Sequence, residues 1–149
     1  MKNIMRLLSL ALVALLVGAC ASPPPPPPPH HPFYIHAMSD LRAARWLIEH
    51  RPGDWAQSSD EVEAVHQIDA AIRDMQAAAI DDGKNIDYHP GVDERPDHRG
   101  RLHEAIEYLR KARQDVDQSE DNPAVRGLRN RSIGHIDAAI NSVRRVFNE

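Results

Sequence analysis

The chain repeats itself at a single spacing, and that limits what it can build. Leu41-Arg42-Ala43-Ala44-Arg45 matches Leu109-Arg110-Lys111-Ala112-Arg113 at an offset of 68 residues. Ile68-Asp69-Ala70-Ala71-Ile72 matches Ile136-Asp137-Ala138-Ala139-Ile140 at the same offset and without a gap. Ala37 with Ala105 and Ile48 with Val116 keep that register. Separated blocks sharing one offset point to a duplicated unit, and a unit of this size must bury its apolar face against its twin.

Local punctuation makes each unit a pair of helices. Residues 33–50 form one helical stretch, stopped by Arg51-Pro52-Gly53. Ser58-Ser59-Asp60-Glu61 has the spacing of a capping box and opens a second stretch that runs to about Ile80. Asp82-Gly83 closes it, and residues 81–98, with Gly83, Pro90, Gly91 and Pro96, read as a long loop. A third helix spans about Arg99 to Gln118; a fourth starts near Pro123, a residue suited to a first helical turn, and continues to about Asn148. No stretch alternates as a strand would. The expected fold is all-α: a four-helix bundle in residues 33–149, made of hairpin repeats 33–80 and 101–148 joined by a loop at 81–100.

The apolar stripes fit this arrangement. Tyr34, Met38, Leu41, Ala44 and Ile48 share one face of the first helix; Leu102, Ala105, Ile106, Leu109, Ala112 and Val116 share one of the third. Val62, Val65, Ile68, Ile72 and Met75 are expected to line the second helix. Val125, Leu128, Ile133, Ile136, Ile140, Val143 and Phe147 are expected to line the fourth.

Ahead of the repeats lie Lys2 and Arg6, an apolar run from Leu7 to Val17 broken only by Ser9, and then Leu16-Val17-Gly18-Ala19-Cys20. The run is shorter than the roughly 20 residues a membrane span needs. The segment resembles the bacterial lipoprotein signal and its lipobox. That resemblance implies cleavage after residue 19 and attachment of palmitate-type acyl chains at Cys20. Ala21, rather than Asp, resembles the outer-membrane sorting pattern of Gram-negative lipoproteins. The competing reading is an ordinary secretory signal followed by a spare cysteine. Cysteine usage favours lipid, because Cys20 is the only cysteine in a chain bound for a compartment that permits disulfides.

Residues 20–32 hold the seven prolines Pro23 to Pro29. Proline fixes φ and removes the amide donor, so they form a polyproline II stalk of roughly 20 Å. A spacer behind a lipid anchor is favoured over a docking motif for an SH3-like partner. Without residues 1–19 the chain carries 16 basic against 22 acidic residues, a balance that argues against nucleic acid.

Nine histidines invite a metal or haem hypothesis. His36, His66, His103 and His135 fall one per helix, but at about 100° per residue each points roughly 90–140° away from its stripe. No Cys-x-x-Cys-His or His-Glu-x-x-His is present, and no cofactor is expected. If a divalent ion binds anywhere, the acidic loop 81–98 is the place, with His89, Asp93, Asp97 and His98 as ligands, although its spacing matches no calcium loop. Arg45 and Arg113 are repeat-equivalent and sit at stripe edges, as do Asp69 and Asp137. They read as two Arg–carboxylate bridges fixing hairpin register, in preference to an anion site formed by both arginines. Equivalent positions imply similar effects on substitution.

No Gly-x-Ser-x-Gly or glycine-rich phosphate loop occurs, and catalysis is not expected. Trp46 and Trp55 fit covering contacts with the loop or the bundle end. The combined expectation is a lipid-anchored, non-enzymatic module of the bacterial cell envelope, at the outer membrane and facing the periplasm. It would be held to the membrane by its acyl chains, with an envelope protein, peptidoglycan or a second copy of itself as partner. The alternative is a small-ligand or divalent-metal binding module built on loop 81–98.

Overall fold

Residues 32–50, 56–78, 83–118 and 123–148 are described by a computed structural model. Cys20, the proline tract and Trp55 lie outside them. Four helices form, α1 (Pro32–Glu49), α2 (Ser59–Ala77), α3 (His98–Asp117) and α4 (Pro123–Val146), with no strand among the described residues.

Their starts follow from chemistry visible in the sequence. Ser58 caps α2: its hydroxyl accepts from the Glu61 amide, and the Glu61 carboxylate accepts from the Ser58 amide, closing a reciprocal capping box. Asp97 caps α3 by accepting from the Gly100 amide at 2.8 Å. Pro32 and Pro123 open α1 and α4, where a missing amide hydrogen costs nothing.

The helices pack as a ring in the order α1–α2–α4–α3, with α1/α4 and α2/α3 on the diagonals. The broad seams run between hairpins, α1 on α3 and α2 on α4, while the contacts inside each hairpin are slighter. Both broad seams are antiparallel. Asp60 at the start of α2 meets Arg145 at the end of α4, and Asp74 meets Arg131. Tyr34 at the start of α1 shares a crevice with Val116 at the end of α3.

Two contacts locate the symmetry. Gln67 and His135 are related by the 68-residue offset, and they touch, Nδ1 to Oε1 at 2.6 Å. Asp40 and Tyr108 share the offset too, and the Tyr108 hydroxyl is pushed up by burial and by the nearby charges of Glu104 and Asp40. A residue can meet its own repeat counterpart only near the axis that relates them. An approximate two-fold axis therefore pierces both seams, perpendicular to the bundle.

Small residues surround that axis. Ala37, Leu41 and Ala44 of α1 and Ala105, Leu109 and Ala112 of α3 are fully buried. Ala64, Ile68 and Ala71 of α2 are buried as well, with Ser132, Ile136 and Ala139 of α4 in the matching places. Alanine at the crossings lets the backbones approach closely, while the central Leu and Ile fill the space between the seams. This corrects the expected α2 stripe, since Val62 is 52% exposed. The buried face is centred on Ala64 and Ala71, so Val62 falls outside it and Val65 at its edge. On α4, Val125, Leu128 and Ile133 are only half-buried, as is Phe147 just past its end, because the same shift brings Ser132 and Ser142 inside.

Leu41→Ala and Leu109→Ala should each lower stability by about 2–5 kcal/mol in urea unfolding, as expected for cavities in a core that cannot collapse around them. The two losses should be alike, since both residues occupy the centre of the same pseudo-symmetric seam.

Candidate functional site

The arginines and aspartates singled out by the repeat are brought together in pairs. Arg45 Nε donates to Asp69 Oδ1 at 3.0 Å, tying α1 to α2; Arg113 Nε donates to Asp137 Oδ1 at 2.7 Å, tying α3 to α4. Both pairs use the same atoms across the same separation of 24 residues. Their surroundings differ. The Arg45 and Asp69 side chains are 17% and 22% exposed, against 42% and 45% for Arg113 and Asp137. Arg45 also reaches Glu49 at 2.9 Å and Asp87 at 3.2 Å.

The source of the difference is the connection from α2 to α3. Those two helices lie on a diagonal of the ring, and the chain joins them by passing over α1 rather than α4, as an extended strap. The backbone carbonyl of Lys84 accepts from Arg42 and the Asp87 carboxylate from Arg45; His89 stacks on Trp46; Glu94 lies 3.9 Å from His50. Contacts thus climb α1 in step with the strap. Ile86 and Val92 pack against the core from above. Gly83 turns the chain into the strap with φ of 71°, a conformation that suits glycine.

Trp46 is sandwiched between two imidazoles, His50 at 4.5 Å and His89 at 4.3 Å between ring centroids. At the far end of the strap His98 Nε2 donates to the buried Glu61 at 2.6 Å, joining the starts of α2 and α3. Burial works to raise the Glu61 carboxyl, but hydrogen bonds from Ser58 and His98 outweigh it and hold the group below its ordinary 4.5. Arg101, also buried, donates to the Pro96 carbonyl at 2.9 Å.

The four loop residues considered as metal ligands go to separate tasks. His89 covers Trp46, Asp93 pairs with Arg95 at 2.8 Å, Asp97 caps α3, and His98 clasps Glu61. No three His, Cys, Asp or Glu among the described residues are grouped as a metal would require. His36, His66 and His103 are exposed, with His103 stacked on Phe147; His135 is half-buried against Gln67. A crevice of about 180 Å³ lined by Tyr34, Met75, Val116, Leu128 and neighbours falls below the ~300 Å³ at which ligand pockets begin.

The burial of Arg42 and Arg101 and the Glu61–His98 contact were not singled out in the sequence, whereas a covering contact between Trp46 and the loop was. A signal for the strap exists in the repeat. Under or beside it α1 carries Ala43, Trp46 and Leu47; the uncovered counterparts on α3 are Lys111, Gln114 and Asp115. Where the duplicated copies exchange apolar for polar residues, one copy has acquired a cover.

The two arginines should therefore respond unequally, against the expectation from the repeat. Arg113→Leu should cost about 0–1 kcal/mol, as exposed ion pairs do. Arg45→Leu should cost more, about 1–3 kcal/mol, because it strands partly buried Asp69 and loosens the strap; urea denaturation of each variant reads the difference. Acid should act through Glu61. Its depressed carboxyl contributes stability above pH 4.5 that is lost as pH falls through the folded value. Asp40, raised by burial and by Asp115, changes stability in the opposite sense. Thermal melts of an Asp40→Asn background below pH 5 should show an acid-dependent loss that Glu61→Gln reduces.

No protein-family model matches the chain, and neither does any curated protein or solved structure.

Proposed function

We propose that this protein is a lipid-anchored module of the bacterial cell envelope with a structural or protein-interaction role and no catalysis of its own. The observation that carries the anchor is the run Leu16-Val17-Gly18-Ala19-Cys20 behind a short apolar segment, followed directly by a proline stalk. Two or three acyl chains, at roughly 0.8 kcal/mol per buried methylene, hold a chain firmly to a bilayer. Support for the scaffold role comes from how the polar groups are used. Arg42 and Arg101 donate to backbone carbonyls, Arg45 pairs with Asp69 and His98 holds Glu61, so these groups serve to fix the shape of the bundle. The metal-binding alternative has less support, since His89, Asp93, Asp97 and His98 take separate partners.

Anchoring also implies an orientation. The stalk enters at Pro32, on the end of the bundle that holds the finish of α2 and α3 and the start of α4. Eleven residues lie between Cys20 and Pro32, a reach under about 40 Å at polyproline rise. The opposite end, with the Glu61–His98 clasp and Phe147, faces away from the bilayer toward an envelope protein, peptidoglycan or another copy. Placement at the outer membrane, facing the periplasm, follows the residue after Cys20.

Cys20→Ser should leave an unprocessed or soluble protein that no longer enters the detergent phase on partition, while the parent does. Recovery of the processed Ser variant with membranes would overturn the lipid anchor.

A further inference from the structure

We propose that two copies of this chain associate by exchanging hairpins, α1–α2 of one copy closing on α3–α4 of the other. The proposal deepens the self-association included in the reading above and rests on the bundle, not on the lipid anchor.

Three observations carry it. The first is where cohesion lies. The seams between hairpins are broad and contain the alanine-lined crossings, while the seam within each hairpin is slight. A hairpin is thus completed by the other hairpin, and exchange retains every one of those contacts.

The second is charge. α2 carries Asp60, Glu61, Glu63, Asp69 and Asp74 against Arg73, whereas α4 carries Arg126, Arg129, Arg131, Arg144 and Arg145 against Asp137. Across the seam Asp60 meets Arg145 and Asp74 meets Arg131. Pairing α2 with the α2 of a second copy sets acid against acid; pairing it with that copy's α4 restores the native bridges. The surfaces therefore select reciprocal exchange over symmetric pairing of like hairpins.

The third is reach. The connection from α2 to α3 must cover only the length of the bundle, about 28 Å for the 19 residues of α2. From Ala78 to Asp97 it holds 20 residues, enough to extend about 65 Å. In one copy residues 83–97 lie along α1 as the strap, and exchange gives up those contacts for the span to a second bundle.

Full-length chain carrying Cys20→Ser provides a thiol-free background. Gln67→Cys and His135→Cys are introduced in separate chains, mixed, unfolded, refolded together and oxidised. Each variant is first required to show parental helicity by circular dichroism; if either does not, Asp60→Cys with Arg145→Cys replaces the pair in the same format. Exchange predicts a covalent dimer, at twice the chain mass on a non-reducing denaturing gel, from the mixture and from neither variant alone. Its yield should rise with protein concentration during refolding. Absence of that dimer from the mixture, while a chain bearing both cysteines closes an internal disulfide, would overturn the proposal. So would equal dimer from a mixture of Gln67→Cys with Lys111→Cys, whose thiols lie on no common seam. Neither result bears on membrane partition of the Cys20 variant, so failure of exchange and failure of the anchor are read separately.

Discussion

Everything in this bundle depends on two apolar faces that are nearly the same and can be closed only by each other. Ala37, Leu41 and Ala44 face their counterparts Ala105, Leu109 and Ala112; Ala64, Ile68 and Ala71 meet Ser132, Ile136 and Ala139. Small side chains at the crossings bring backbones together, and branched side chains at the centre exclude water from the space between. The contacts within a hairpin, an ion pair and a short run of packing, are too slight to replace that burial. Stability is consequently a property of the pair of hairpins. The charges on α2 and α4 then choose between otherwise similar ways of pairing, which apolar faces of such likeness cannot do alone.

The strap is where the two halves part company. The connection from α2 to α3 passes over α1 rather than α4, and α1 is therefore enclosed on its outer side while α3 is not. That asymmetry accounts for several otherwise odd side chains. Arg42 is buried and Arg110, its counterpart, is exposed; Trp46 is stacked between imidazoles where α3 offers Gln114 to solvent. It also explains why two ion pairs of matching geometry sit in different surroundings. Duplication supplies the symmetric core, and a single crossing connection makes one of its two outer faces unlike the other.

Much of this was legible from residues alone, and the limits have physical causes. Helix positions follow from Ser58, Glu61, Pro123 and the 3.6-residue spacing, which act locally. The Arg45–Asp69 and Arg113–Asp137 pairs were legible because duplication places the same two residue types at the same spacing twice. Ring order was not, since alanine-rich faces pack equally well on either neighbour, and the charge difference between α2 and α4 acquires meaning only once they are seen to be adjacent. The route of the strap was hidden for a related reason. Its residues invite a metal reading as a cluster of carboxylates and imidazoles, yet each is used singly, and the signal lay in Ala43, Trp46 and Leu47 of the helix beneath.

Native-state hydrogen exchange measures most directly whether the hairpins stand or fall together. If each is completed only by the other, amides around Leu41 and Ile68 should exchange with the same opening free energy as those around Leu109 and Ile136. That shared value should equal the global unfolding free energy, with α1 not separable from α3 nor α2 from α4. Sub-global opening of one hairpin while the central amides of the other stay protected would show that a hairpin holds its structure alone, and would contradict mutual closure as the basis of the fold.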